Sequence, residues 1–326
     1  MNPGRTAAIG VDIGGSKVLA VRVGADGEIE AFDKLPTPPE ADEVIETVLA
    51  AAARAAGGAG DPLALPLGVG CPGMIDSHGV AHFCPHLHCF DGLDIRQALA
   101  RQRHPGATTV VVNDATAACW AEHNLGAARG AADVLMVTMG TGIGGGVVMG
   151  GRLVEGSHGF AGEIGHMVVD PHGPPCPCGK RGCWERFASG NGLGRLAREA
   201  AYAEKLPEVV RLAGGDPEAV RGEHLTAAAL AGDPTAQKVM EVFAWWLALG
   251  LANLANALDP SVIVLGGGLI ESERVVMGPV RRAFEELAEA PGARGVRIEP
   301  AQLGERAGAV GAALLARERA AASSAH

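Results

Sequence analysis

The sequence predicts an α/β protein made of two related lobes with a cleft between them. Three observations carry this reading. Short β-branched and apolar runs alternate with Ala-rich helical stretches along all 326 residues, the order that builds α/β layers. A strand, glycine turn and strand open each half, at Ala8–Val23 and again at Asp133–Met149, a weak internal repeat and not a solenoid. The 48 glycines cluster at strand ends without a Gly-X-Y period, which excludes collagen, and 48% hydrophobic residues in a chain this long bury a core without disulfide staples.

Along the chain, Ala8–Val23 reads as a strand, the turn Gly14-Gly15-Ser16-Lys17 and a returning strand, followed by a turn at Gly24–Gly27 and a third strand over Glu28–Leu35. Pro36–Pro39 breaks the chain before a helix at Ala41–Ala56. Pro66–Gly70 is a strand leading into Cys71-Pro72-Gly73, and Asp94–Arg103 is a helix. Thr108–Val112 is a β-branched strand that stops at Asn113-Asp114, where a helix begins and runs to about Leu125. In the second half, Asp133–Thr138 is a strand, Gly140–Gly146 a glycine loop and Gly146–Met149 the returning strand. Ser189–Leu254 reads as helical with a break near Gly214–Pro217, Val262–Leu265 as a strand ending in Gly266-Gly267-Gly268, and Gly308–Arg317 as a closing helix. The expected division is a small lobe at 1–121, with a helix at 306–321 packing back onto it, and a large lobe at 122–305.

Composition narrows the function. Lys and Arg number 27 against 37 Asp and Glu, and an acidic chain offers no basic face for a nucleic-acid backbone. The N-terminus runs straight into a strand pattern with Asp12 inside it, without the apolar core and cleavage site of a signal peptide. The nearly apolar run Val242–Leu258 is slightly short for a bilayer span and contains Asn253 and Asn256, so a buried helix is the preferred reading. Seven cysteines without an export signal favour metal binding or core packing over disulfides, in a cytoplasmic protein away from membranes.

Three glycine clusters follow strands: Gly14-Gly15-Ser16-Lys17, Gly140-Thr141-Gly142 and the glycines after it, and Gly266–Gly268. Glycine lets backbone N–H groups approach phosphate oxygens closely, and three such loops point to nucleotide phosphates. The first lacks P-loop spacing; the second matches G-x-G-x-x-G but runs into a strand, where a dinucleotide fold needs a helix. Asp12 is either a turn-bonding carboxylate or a ligand for hydrated Mg²⁺ beside those phosphates, and the second is preferred. His166, Cys176, Cys178 and Cys183 form H-x9-C-x-C-x4-C, four ligands suited to a closed, structural Zn²⁺ site. Cys71, Cys84, Cys89 and Cys119 are scattered and read as buried thiols. His82, His86 and His88 lie near Cys84 and Cys89 without compelling ligand spacing. Asp114 is either an ordinary N-cap or a base at a strand's C-terminal end; Glu163 and Glu185, each a surface acid when taken alone, bracket the cysteine loop, where a metal would hold them rigid for vicinal hydroxyls.

Taken together, Gly10–Lys17, Asn113-Asp114-Ala115, Thr138–Gly146, Ala161–His166, Cys176–Glu185 and Val264–Gly268 resemble the ROK family of sugar kinases, with the bacterial ATP-dependent glucokinases as the nearest pattern. The resemblance spans essentially the whole chain. It implies an actin-like, ribonuclease-H-like ATPase fold of two lobes with a structural zinc loop, and ATP-dependent phosphorylation of a hexose at the 6-hydroxyl, glucose first. It implies Asp114 as the base and Gly73, Asn113, Glu163, His166 and Glu185 as sugar contacts. By the same resemblance Gly14–Lys17 and Gly140–Gly142 touch phosphates, Asp12 accompanies Mg²⁺ of Mg-ATP, Gly266–Gly268 lie on the adenosine side, and the protein is a homo-oligomer, dimer or tetramer. Ser16, Thr116 and His86 depart from the usual pattern and bring in amino sugars such as kanosamine or N-acetylmannosamine, or a C7-cyclitol, as alternative acceptors. The family's sugar-responsive repressors carry an N-terminal helix-turn-helix domain, where this sequence begins its first strand near residue 8; its polyphosphate-using members generally lack the cysteine loop. A non-catalytic sugar sensor is the alternative from another class, opposed by the presence of Asp114 and every phosphate loop.

Overall fold

Strand β1 (Ala8–Ile13) is apolar except at Asp12 and almost wholly buried, which places it inside a sheet and not at an edge. It pairs antiparallel with β2 (Lys17–Val23), which pairs antiparallel with β3 (Ile29–Pro36). On its other side it pairs parallel with β4 (Leu67–Cys71), itself parallel to β7 (Thr109–Asn113), giving the order β3-β2-β1-β4-β7. Between them, β5 (Met74–Ile75) and β6 (Ala81–Phe83) form a short hairpin. The second sheet contains β8 (Val134–Met139), β9 (Ile143–Met149), β10 (Arg152–Leu153), β11 (Val262–Gly266) and β12 (Arg297–Pro300), in the order β10-β9-β8-β11-β12. Both sheets therefore set three consecutive strands beside two later ones, the repeat that the glycine hairpins announce. These are features of a computed structural model that describes residues 6–58, 60–85, 87–288 and 295–324.

Helix α1 (Ala41–Ala56) presents Val44, Ile45, Val48, Ala51, Ala52 and Ala55 to a core that includes Ile9, Val11 and Val69. Helix α2 (Ile95–Ala100) adds Ile95 and Leu99 and is capped by Asp94, whose side chain accepts from the Gln97 N–H. Helix α3 (Asp114–Leu125) follows β7 without a break. Helix α10 (Ala307–Ser323) is buried on every side from Ala307 to Ala316. It lies almost on the sheet backbone: a Cβ at Gly10 would stand 1.8 Å from the Ala309 carbonyl oxygen, and one at Gly68 1.8 Å from that of Ala312. Those glycines serve close packing and not turns.

The second half carries α4 (Glu185–Ala188), α5 (Gly190–Tyr202), α6 (Pro207–Leu212), α7 (Gly222–Leu230), α8 (Pro234–Leu258) and α9 (Glu273–Leu287). The expected single break in Ser189–Leu254 is several. Pro207 and Pro234 each open a helix at its first position, and Asp233 caps α8 by accepting from Thr235 and Ala236 N–H groups. The strand after the second glycine loop begins at Ile143, earlier than the sequence suggests, because Gly144–Gly146 are strand residues. A Cβ at Gly146 would meet Cys119 Cβ of α3 at 2.3 Å. Helix α8 is long and apolar enough to cross a membrane by length and composition alone, but Phe243, Leu247 and Leu251 are fully buried within the fold, as expected of a core helix.

Contacts group residues 1–136, 146–162 and 302–326 into one compact unit and residues 137–145 and 163–301 into a second. Helix α3 lies whole in the first unit, and the C-terminal helix returns to it.

Candidate active site

In the first unit, the end of β1 delivers Asp12 and then the turn Gly14–Lys17. The Gly14 N–H donates to the Lys17 carbonyl at 2.8 Å, and Thr37 braces the turn from outside: its Oγ1 donates to the Gly14 carbonyl at 2.7 Å and its N–H to that of Ser16 at 3.2 Å. Gly15 and Ser16 stay exposed, free to present N–H groups to an anion. Asp12 is walled by glycine. A Cβ at Gly308 would lie 2.8 Å from its carboxylate, and one at Gly70 would lie 3.4 Å from both Asp12 Oδ1 and the Asp114 Cα. Burial first, and the neighbouring Asp114 second, push the Asp12 carboxyl up to about 8 against the pull of Lys17. A carboxylate so placed is stabilised by a cation, and the paired carboxylates of Asp12 and Asp114 are hard oxygen donors of the kind that suit hydrated Mg²⁺.

Asn113, not Asp114, caps α3. Its Oδ1 accepts from the Thr116 N–H at 3.0 Å, and its Nδ2 donates to the Gly73 carbonyl at 3.1 Å, leaving one hydrogen and one lone pair on the amide. Asp114 is therefore not the N-cap of α3. It is the first helical residue, at the positive end of the helix dipole, with Oδ1 accepting from the Ala115 N–H at 2.8 Å. Gly73 has φ of 99° and no room for a Cβ, which would stand 2.2 Å from the Phe83 carbonyl oxygen. The structure also unites two cysteines that look scattered in the sequence. Cys71 and Cys84 are both fully buried, and both thiols point at the Pro72 carbonyl, at 3.7 and 3.1 Å. The hydrogen bond from Cys84, and then burial, push the Cys71 thiol well above its ordinary range.

In the second unit, Glu163, His166 and Glu185 gather around the cysteine loop. The ligand atoms of His166, Cys176, Cys178 and Cys183 all lie within 4.8 Å of one another, the set the sequence pattern picks out. Three thiols and an imidazole at that spacing fit tetrahedral Zn²⁺. His166 turns Nδ1 toward Cys176 Sγ, at 3.8 Å, and Nε2 toward Glu163 Oε2, at 3.9 Å, so one ring nitrogen serves the sulfur cluster and the other faces away from it. The Cys176 thiol donates to Glu185 Oε1 at 3.0 Å. Burial, then Glu185 among its neighbours, raises the Cys176 thiol. At Cys178 burial acts upward, but the Lys180 N–H and the two neighbouring thiols outweigh it and lower the group. Trp184, fully buried against Gly250 of α8, donates its indole N–H to the Trp246 carbonyl at 2.8 Å and anchors the loop between Cys183 and Glu185.

The glycine loops of this unit converge as well. Gly267, with φ of 88°, packs against the Met139 backbone, and Gly190 donates to the Gly140 carbonyl at 2.8 Å. Gly140, Thr141 and Gly268 line one cavity of about 930 Å³ together with Asn191, Arg198 and Thr226. The last three are missing from the sequence-derived set, since they come from α5 and α7, which the sequence pattern ties to no loop. Gly142 touches the carboxylate group instead: a Cβ there would stand 2.5 Å from Glu185 Oε2.

The ROK family model matches residues 8–319. The chain belongs to the ROK family. A glucokinase of Streptomyces coelicolor is 37% identical over 317 residues, 95% of this chain and 97% of that one. An N-acetylmannosamine kinase of Escherichia coli is 34% identical over 313 residues, 94% of this chain and 97% of that one. A solved ROK family glucokinase from Streptomyces griseus, in complex with glucose and AMPPNP, has a TM-score of 0.82 at 38% identity, over 96% of this chain and 99% of that one. ROK kinases have a two-lobed actin-like fold, which accounts for the repeated strand order.

Among the positions that depart from the ROK pattern, Thr116 is buried with its N–H on the Asn113 cap, and Ser16 is exposed on the first turn. His86 lies outside the described residues. Its neighbours are engaged locally: His82 Nε2 meets Asp76 Oδ2 at 2.9 Å and its ring sits edge-on to Phe160, while His88 meets Asp91. Among the described residues, only the His166 group has the makings of a metal cluster.

Proposed function

We propose that the protein transfers the γ-phosphoryl group of ATP to the 6-hydroxyl of a hexose, glucose to glucose 6-phosphate. The observation that carries this reading is Asp114, the first residue of α3 behind the Asn113 cap and set beside Asp12 at a strand's C-terminal end, in a chain 37% identical to a glucokinase. Asp114 accepts the proton of the attacking hydroxyl and orients its oxygen. Asn113 and Gly73 fix the approach of the sugar, and Glu163, Glu185 and His166 Nε2 take its ring hydroxyls. Gly14–Lys17 and Gly140–Gly142 offer N–H groups and an ammonium to the phosphates, with Gly266–Gly268 and the cavity beside them for the nucleoside. Mg²⁺ held through Asp12 would neutralise phosphate charge, and Zn²⁺ on His166, Cys176, Cys178 and Cys183 would stiffen the loop between Glu163 and Glu185 and fix the His166 tautomer. The same resemblance supports a homo-oligomer, dimer or tetramer.

A second reading keeps the chemistry and changes the acceptor to an amino sugar. It is favoured by the 34% identity to an N-acetylmannosamine kinase and by the departure of Thr116 and His86 from the usual glucokinase pattern. The test is an ADP-release assay with Mg-ATP against glucose, mannose, glucosamine, N-acetylglucosamine, N-acetylmannosamine, kanosamine and a valienol-type cyclitol. Glucose is expected to give the highest kcat/KM, and Asp114→Asn to lose about 10²- to 10⁴-fold in kcat with an unchanged melting temperature. Near-normal turnover in Asp114→Asn rules that residue out as the base; no turnover on any sugar by the folded, zinc-loaded protein returns the sensor reading.

A further inference from the structure

Lys17 is the first residue of β2, and Lys34 stands in β3 opposite Leu19. Their ammonium groups converge on a single carboxylate, that of Glu305 in the tight turn Gly304–Arg306 which leads into α10. Lys17 Nζ donates to Glu305 Oε2 at 2.5 Å, and Lys34 Nζ donates to Oε1, so each oxygen of the anion has its own lysine. The side chains are 47%, 39% and 47% exposed for Lys17, Lys34 and Glu305, so an anion from solution can reach all of them. The cluster holds two positive charges and one negative. It also stands beside the phosphate turn: Lys17 closes that turn, and three residues after Glu305 the backbone at Gly308 abuts Asp12.

We propose that Lys17 and Lys34 form a two-ammonium seat for a phosphate-class anion, the terminal phosphoryl group of the nucleotide, and that Glu305 is the internal anion occupying that seat until the phosphoryl group arrives. The proposal rests on the phosphotransfer reading above and extends it to Lys34 and Glu305. A carboxylate brings one charge and two oxygens; a terminal phosphoryl group brings about −2 and three oxygens, so it displaces Glu305 when nucleotide binds. When the phosphate-bearing product departs, Glu305 returns and the two like charges are not left facing one another. Glu305 suits this role because hydrogen bonds from Lys17 and Lys34 hold its carboxyl down to about 2, so it is anionic throughout the working pH range.

The probe is inorganic tripolyphosphate, titrated calorimetrically into the full zinc-loaded chain without sugar, alongside the KM for ATP. Lys34→Gln is expected to weaken tripolyphosphate binding and raise the KM for ATP by about threefold to fivefold, the scale of one exposed charge pair, with the sugar KM unchanged. Glu305→Gln is expected to tighten tripolyphosphate binding by a similar factor, and by more than Glu155→Gln, which removes the same charge from a surface pair with Arg319. Lys238→Gln, an exposed lysine on α8, supplies the control for net charge. The proposal is overturned if Lys34→Gln behaves as Lys238→Gln does, or if Glu305→Gln fails to tighten binding more than Glu155→Gln does. Inorganic phosphate should inhibit competitively with ATP; non-competitive inhibition overturns the assignment of the seat to the nucleotide. Tripolyphosphate binding that depends on Lys34 in a protein without kinase turnover overturns the kinase reading and leaves the seat standing, whereas turnover with Lys34-independent binding overturns the seat alone.

Discussion

Glu122 lies on α3, two turns after Asp114, and is fully buried, yet its carboxylate is satisfied by main chain alone. Oε1 accepts from the Gln302 and Leu303 N–H groups at 2.9 and 2.8 Å, and Oε2 accepts from the Ala127 N–H at 2.8 Å. Three main-chain donors on one carboxylate tie α3 to the segment that carries Glu305. Glu122→Gln keeps the size and removes one acceptor. With its remaining oxygen on Gln302 and Leu303, the amide NH2 faces the Ala127 N–H, and a buried donor left unpaired costs about 2–3 kcal/mol. The other two bonds fall from charge-assisted to neutral at about 0.5–1 kcal/mol each, for a total of about 3–5 kcal/mol. At roughly 2–4 °C per kcal/mol for a unit of this size, the melting transition of the first unit should fall by about 10 °C. Differential scanning calorimetry of the full chain reads this directly, with Glu155→Gln as the contrast. Glu155 meets Arg319 at 2.6 Å on the surface, and losing an exposed pair should move the transition by less than about 2 °C. A Glu122→Gln shift under about 3 °C would falsify the claim that this carboxylate holds the C-terminal segment to α3.

Asp12 titrates higher in the fold, at about 8, than at its ordinary 3.8, so the folded protein holds an extra proton between those values. Its stabilising contribution is full below pH 4 and is lost as pH rises through 8. In magnesium-free buffer the wild type should therefore lose melting temperature from pH 5 to pH 8 relative to Asp12→Asn, and parallel profiles would refute the assignment. Gly142→Ala places a methyl group against Glu185 Oε2 and should raise the sugar KM by about tenfold, within the range for displacing one charged hydrogen-bond partner; an unchanged sugar KM would separate Gly142 from Glu185. The purified protein should contain one zinc per chain by elemental analysis. Stripping it with a strong chelator should make Cys178 the most rapidly alkylated thiol of the loop, as the only one of the three with a lowered pKa. A chain without zinc whose stability ignores the chelator contradicts the metal site.

The features visible in the sequence are those whose parts are neighbours in the chain. The hairpin around Gly14–Lys17, the handover from β7 to α3 at Asn113-Asp114, and the group His166, Cys176, Cys178 and Cys183 each lie within a short segment, so spacing alone restricts their geometry. Glycine is where local reading fails, because it serves two purposes that look alike in a sequence. At Gly14–Gly15 it turns the chain, whereas at Gly10, Gly68 and Gly146 it lets a helix lie against a strand, and only the second use explains why β9 starts at Ile143 and not at Gly146. What stayed hidden depends on residues far apart in the chain. Thr37 bracing Gly14, Cys71 meeting Cys84, Glu122 reaching Gln302, and Lys34 reaching Glu305 are pairings that no period or motif encodes. Two of them act on loops that the sequence marks, Thr37 on the Gly14–Lys17 turn and the cysteine pair on Pro72-Gly73, while the other two fix the segment before α10, which the sequence leaves unmarked. The candidate site of this ROK protein is therefore legible locally, in short motifs at strand ends, while the long-range partners that hold those segments in place are brought together only by the fold.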